Sequence, residues 1–180
     1  MVGSFYRECG ALYRPKRPWL VGELSEAALS DFTTPIIVAG SRNFNDYPLF
    51  RYFLERYLLE IPREESVVFI SGEASAGADA MIIRWCRENH YPWIPKPADW
   101  DQYGKRAGYL RNAEMAAIGK RLLSYWDGMS KGTKHMQDIA RKAQLLVQVI
   151  LVAPDLRKPT HGWKSSRSSS LDYQSHWRDL

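Results

Sequence analysis

Three short segments carry the residues best suited to holding an anion. They are Gly40-Ser41-Arg42-Asn43, Gly72-Glu73-Ala74-Ser75-Ala76-Gly77-Ala78-Asp79 and Asp127-Gly128-Met129-Ser130-Lys131-Gly132-Thr133. Each joins glycine to other small or polar residues and feeds, directly or shortly after, the start of a helical pattern. A helix start offers unpaired N–H groups and a partial positive charge, and glycine lets an anion approach the backbone. The third segment is the fullest. Gly128 and Gly132 leave the main chain bare there, Ser130 and Thr133 add hydroxyls, and Lys131 and Lys134 add charge. One such loop is an ordinary turn, but three of them point to an anion or nucleotide site.

Two familiar phosphate motifs are excluded. Gly72 and Gly77 have P-loop spacing, yet Ala78-Asp79 stand where Lys and Ser/Thr belong, so an ATPase is not indicated. No G-x-G-x-x-G follows the first strand, which disfavours a standard NAD dehydrogenase. Arg111 shares a helical stripe with Met115 and Ile118. It either pairs with Glu114 or turns into the cleft to clamp a phosphate bidentately. Asp79 either complements its helix dipole or meets a ribose hydroxyl, since it would repel a phosphate. Trp100 and Tyr103 either stack on a base or belong to the core. Cys86 falls on an apolar helix face and reads as core, and Cys9 has no histidine near it. His90, His135, His161 and His176 lack metal-ligand spacing, so neither a metal nor a cofactor is expected.

These segments need a frame that brings them to one edge. Residues 35–40, 66–71, 93–94, 121–126 and 146–152 read as short strands, mostly apolar. Helical patterns at 46–60, 76–89, 103–118 and 133–143 alternate with them. Such alternation implies an α/β, Rossmann-like three-layer sandwich with a mostly parallel sheet of about five strands. The three segments then follow strands at their carboxyl ends, where such sheets bind ligands.

The 180 residues suit one domain with extensions. Residues 1–34 read as an N-terminal extension with Trp19 and Leu20 as anchors, 35–153 as the domain, and 154–180 as a basic, Ser-rich tail. Hydrophobic residues make up 45% and charged residues 25%, a balance that excludes a disordered or collagen-like chain. The longest apolar run, residues 145–153, is interrupted by Gln148 and too short to cross a bilayer. Arg7, Glu8, Arg14, Lys16 and Arg17 are unlike a secretory signal, and two cysteines make no disulfide framework. The expectation is a cytoplasmic protein. Its net charge of +5 favours anionic partners, and the tail from Arg157 holds five Lys/Arg against two Asp, which leaves nucleic-acid contact open. Trp163, Tyr173 and Trp177 in that tail leave homo-oligomerisation open as well.

Taken in order, Gly40-Ser41-Arg42, Ser71-Gly72 to Gly77-Ala78-Asp79, Asp99-Trp100 with Gly104-Lys105, Ala107-Gly108, Arg111-Asn112 with Met115, and Trp126-Asp127-Gly128 to Gly132-Thr133 resemble the SLOG superfamily. The likeness is greatest to the YspA-like branch, related to YpsA, and more distant to Smf/DprA and the LOG phosphoribohydrolases. It spans about residues 35–152. The resemblance implies binding of a nucleotide or an ADP-ribose-like ligand by Gly40, Ser41, Arg42, Gly72, Glu73, Gly77, Asp79, Lys105, Arg111, Asn112, Gly128, Ser130, Gly132 and Thr133. It leaves catalysis open. Where LOG enzymes carry a catalytic glutamate, this chain has Met136, so a nucleotide N-glycosidase would need Arg111 with Asp127, Glu73 or Asp79 as its carboxylate. Glu73 also replaces one of two adjacent glycines common in that branch. Three functions follow as alternatives: a nucleotide-ligand binding or sensing protein, an N-glycoside hydrolase, and a Smf-like DNA-binding protein.

Overall fold

The computed structural model describes residues 22–152. Six strands form one sheet: β1 (Gly22–Glu23), β2 (Thr34–Gly40), β3 (Val67–Ser71), β4 (Pro92–Pro95), β5 (Arg121–Trp126) and β6 (Leu146–Leu151). Their order is β1-β4-β3-β2-β5-β6, and every neighbouring pair is parallel. The chain winds outward from β2 in one direction to β3 and β4, then returns to β5 on the other side. The strand order therefore reverses between β2 and β5, which opens a crevice at their carboxyl ends.

The central strands show why this sequence makes a three-layer fold. All of β3, and β2 except its last residue, are buried, as parallel strands covered on both faces must be. Alternate residues divide between the faces. Ile36 and Val38 join Phe50, Leu54, Ile82, Leu123 and Tyr125 in the larger core. Ile37 and Ala39 join Met115, Leu122, Met136 and Ala140 in the second. The first core is covered by α1 (Tyr47–Leu59) and α2 (Ala78–Asn89), the second by α4 (Ala107–Ile118) and α5 (Lys131–Lys142). Cys86 lies within the first core.

Element ends follow local chemistry. Asp46 caps α1 by accepting from the Leu49 N–H at 2.9 Å, with Pro48 in the first turn. Gly77, at φ +75°, delays α2 to Ala78, two residues later than the apolar pattern suggests. The single helix expected over 103–118 is divided. A four-residue helix, α3 (Trp100–Tyr103), leads through Gly104 at φ +51° and a 3₁₀ turn (Gly104–Arg106) into α4. Ser130 caps α5, so that helix starts at Lys131, ahead of the expected Thr133. The sixth strand, β1, comes from the stretch read as an extension. Two residues pairing with β4, and the 3₁₀ helix after them (Glu26–Asp31), are too short to leave a periodic signal. Trp19, Leu20, Cys9 and the basic tail lie outside the described residues. Among the described residues, no helix is long and apolar enough to cross a membrane.

Candidate functional site

The β2–β5 crevice forms a cleft of about 520 Å³. Ten of the residues singled out from the sequence line it: Gly40, Arg42, Asp79, Lys105, Arg111, Asn112, Asp127, Ser130, Gly132 and Thr133. Gly72 and Glu73 line an adjoining hollow of about 190 Å³, which shares Arg42, Ala74, Trp100 and Arg111 with the main cleft. Ser41, Gly77 and Gly128 stand behind or beside the lining. Ser41 is buried, and its hydroxyl accepts from the Asp127 N–H at 3.1 Å, joining the β2 loop to the β5 loop.

The floor is built around one residue, Gly72. The Gly72 N–H donates to the Asp79 carboxylate at 2.8 Å, and the Gly72 carbonyl accepts from the Arg111 guanidinium. A side chain on Gly72 would run into Arg111 and come within 2.9 Å of Asp79 Oδ1. Glycine is required there so that a buried carboxylate and a guanidinium can close on the same residue. Arg111 thus leaves the Glu114 pairing read from its own helix and turns to the lining of the cleft. Glu114 is taken by Lys96, at 3.6 Å, and the guanidinium reaches across to β3. Asp79 is only 5% exposed. Burial pushes its carboxyl up to about 6, against the opposing pull of Arg111 and of the Gly72 N–H. Burial also pulls Arg111 down from the ordinary guanidinium range, although Asp79 favours its charge. Desolvation outweighs mutual attraction on both groups, which meet through Gly72 and not in a direct ion pair.

The β5 side is arranged differently. Asp127 Oδ1 accepts from the Met129 and Ser130 N–H groups at 3.0 and 2.8 Å, a turn in which the side chain stands in for backbone. Ser130 Oγ accepts from the Thr133 N–H at 3.4 Å and from its hydroxyl at 2.9 Å. The Thr133 hydroxyl is therefore spent on the cap, while the Ser130 proton remains to be given. Side chains added at Gly128 or Gly132 would meet nothing within 4 Å. At Gly132 the backbone is open to the cleft.

Asn112 ties the two helices of the second layer. Its Oδ1 accepts from Arg111 Nε at 3.2 Å, which fixes the amide orientation. The amide nitrogen then donates to the Gly132 carbonyl and to His135 Nδ1, both at 3.2 Å. His135, held low by burial, is a neutral acceptor with its proton on Nε2. Tyr109 meets the His135 ring edge-on at 4.4 Å.

Asn43, Ala74, Gly108 and Met129, which the sequence offered only as parts of their segments, and Tyr109, which it did not single out, also line the cleft. Trp100 lines it too and is 50% exposed, so the core alternative weighed for it does not hold. Tyr103, at 46%, is likewise outside the core. The signal available was Gly104, whose φ of +51° ends the short helix carrying both rings. Glu73 sits at φ +52°, the left-handed region that a glycine would occupy without strain. Met136 is 1% exposed and packs in the second core, so its position faces the sheet.

Fold and cleft together define a doubly wound α/β protein whose crevice brings cations and open backbone to the carboxyl edge of the sheet. Residues 34–103 match the model of the YspA, cpYpsA-related SLOG family. The Gene 61 protein of Mycobacterium phage D29 is 34% identical over 118 residues, covering 62% of this chain and 92% of that protein. The chain belongs to the YspA, cpYpsA-related SLOG family. It is also similar to DNA processing protein A from Helicobacter pylori, a structure described for its single-stranded DNA binding mode. The TM-score is 0.47 at 16% identity, covering 76% of this chain and 77% of that one.

Proposed function

We propose that this protein binds a nucleotide or nucleotide-derived ligand of the ADP-ribose type, acting in the cytoplasm as a binding or sensing module. One observation carries the reading: Arg42, Lys105 and Arg111 line the same cleft as the open backbone at Gly132. Arg42 and Lys105 are exposed and free to follow a ligand, whereas Arg111 is oriented in advance by Gly72 and Asn112. Phosphates fit the side of Gly132 and Ser130. Asp79 stays beneath them, more easily neutralised than an ordinary carboxylate. Calorimetric titration with AMP, ADP and ADP-ribose tests this, with saturable binding to at least one expected. No binding by any of the three would sink it.

The hydrolase reading is favoured by one feature. Asp79 lines the cleft beside Arg111 with a carboxyl raised to about 6, the property of a general acid near neutrality. Asp127 is the weaker candidate, because its Oδ1 already holds two N–H groups of its own turn. Chromatography of the titrated mixtures separates the readings: free base appears with turnover and is absent with binding alone.

A further inference from the structure

We propose that Trp100 is the platform on which the ligand's aromatic base stacks, in the place beside the indole where the Arg42 guanidinium now stands. This rests on the nucleotide reading of the cleft and adds to it the end of the ligand that the phosphate-binding residues do not address.

The other described tryptophans are covered to a greater degree. Trp85 and Trp93 are 3% and 5% exposed, against 50% for Trp100. An indole left half in water forgoes the burial that usually places this residue inside. Its exposed surface lies on the lining of both the main cleft and the adjoining hollow, so the ring stands where the two meet. It is also held in place. Asp99 caps the short helix by accepting from the Gln102 N–H at 2.9 Å, and a side chain on Gly108 would come within 3.3 Å of the indole edge. Absence of a side chain at Gly108 seats the ring.

Arg42 Cζ is 5.7 Å from the ring centroid, a cation–π contact. A flat group can take that place and release the guanidinium toward an anion. Cation and ring together select the ligand class. A neutral apolar ligand would cover Trp100 but leave Arg42, Lys105 and Arg111 without a counter-charge. A phosphosugar would answer the cations and leave the indole bare. A ligand with an aromatic base and phosphates satisfies both. Stacking tolerates any base, so the platform favours base over no base rather than one base over another.

The test compares ADP with ribose 5-phosphate on the wild-type protein, Trp100→Ala and Trp100→Phe. In Trp100→Ala, ADP affinity is expected to fall at least ~5-fold and up to ~100-fold, the range of one stacked base. Trp100→Phe should retain most of it, and ribose 5-phosphate affinity should stay within about 2-fold throughout. Indole fluorescence quenching by ADP should shrink in both variants. Wild-type binding of ADP that Trp100→Ala leaves unchanged would overturn the platform and spare the nucleotide reading. Equal loss of ADP and ribose 5-phosphate in Trp100→Ala would make Trp100 structural and likewise overturn it. Should the wild type bind neither probe, the platform falls, and the nucleotide reading falls with it only if AMP and ADP-ribose also fail to bind.

Discussion

The loops after β2 and β3 and the loop after β5 are alike in composition, since all three are rich in glycine, yet their glycines answer to different constraints. A side chain at Gly40 would come within 2.6 Å of the Tyr125 carbonyl and 2.8 Å of Ala78 Cβ. One at Gly77 would stand 2.5 Å from the Ser41 carbonyl, and one at Gly72 would strike Arg111. On the β5 side, Gly128 and Gly132 face empty space. The first set lets loops, helix and the Asp79 and Arg111 side chains close on one another. The second leaves main chain uncovered, at Gly132 on the cleft itself. Glycine content alone therefore marks the edge of the sheet without telling which part of that edge is scaffold and which is contact surface.

The largest effect should come from the scaffold side. Arg111→Ala strips the Gly72 carbonyl of its charged donor and the buried Asp79 carboxylate of a nearby cation, and should destabilise the fold by about 1.5–3 kcal/mol, measured by chemical denaturation. The same variant should weaken nucleotide binding, with Arg111→Lys recovering part of it, because a point charge cannot form the planar pair. Stability unchanged by Arg111→Ala would erase the distinction between the two sides.

Asp79 gives a pH signature of that scaffold. The folded state holds its proton more tightly than the unfolded chain, with the carboxyl near 6 against an ordinary value near 4. Its contribution is therefore fully present below about pH 4 and is lost as pH rises through about 6, on the order of 2–3 kcal/mol. Asp79→Asn should flatten this part of the stability–pH curve. A curve that keeps its fall between pH 4 and 6 in the variant would locate the titration elsewhere.

Gly72→Ala sharpens the comparison further. The added methyl must displace the guanidinium or the strand end, at a cost of about 1–3 kcal/mol in denaturation midpoint experiments. On the other side, Gly132→Val should change stability by less than about 1 kcal/mol, as an uncontacted surface substitution does. It should nonetheless abolish ADP binding by blocking approach to the backbone. A Gly132→Val protein that bound ADP normally would move the phosphate cradle to the Gly72–Gly77 side.

What the sequence determined by itself was the frame. Apolar runs ending in small residues at Gly40, Ser71–Gly72 and Trp126–Asp127 are local patterns, and they placed strands, helices and the three loops correctly to within a few residues. Local spacing also brought Cys86 into the core. It did not reach the partners of Arg111, because a helical stripe describes neighbours on the same helix. The guanidinium instead chose a carbonyl 39 positions earlier, in the loop just after β3. Nor did it reveal β1, whose two residues have no pattern until β4 lies beside them. The core position of Met136, the exposure of Trp100 and the upward shift of Asp79 were decided only in the tertiary structure. Burial and desolvation depend on what other segments bring to a residue, and those segments are distant in the chain.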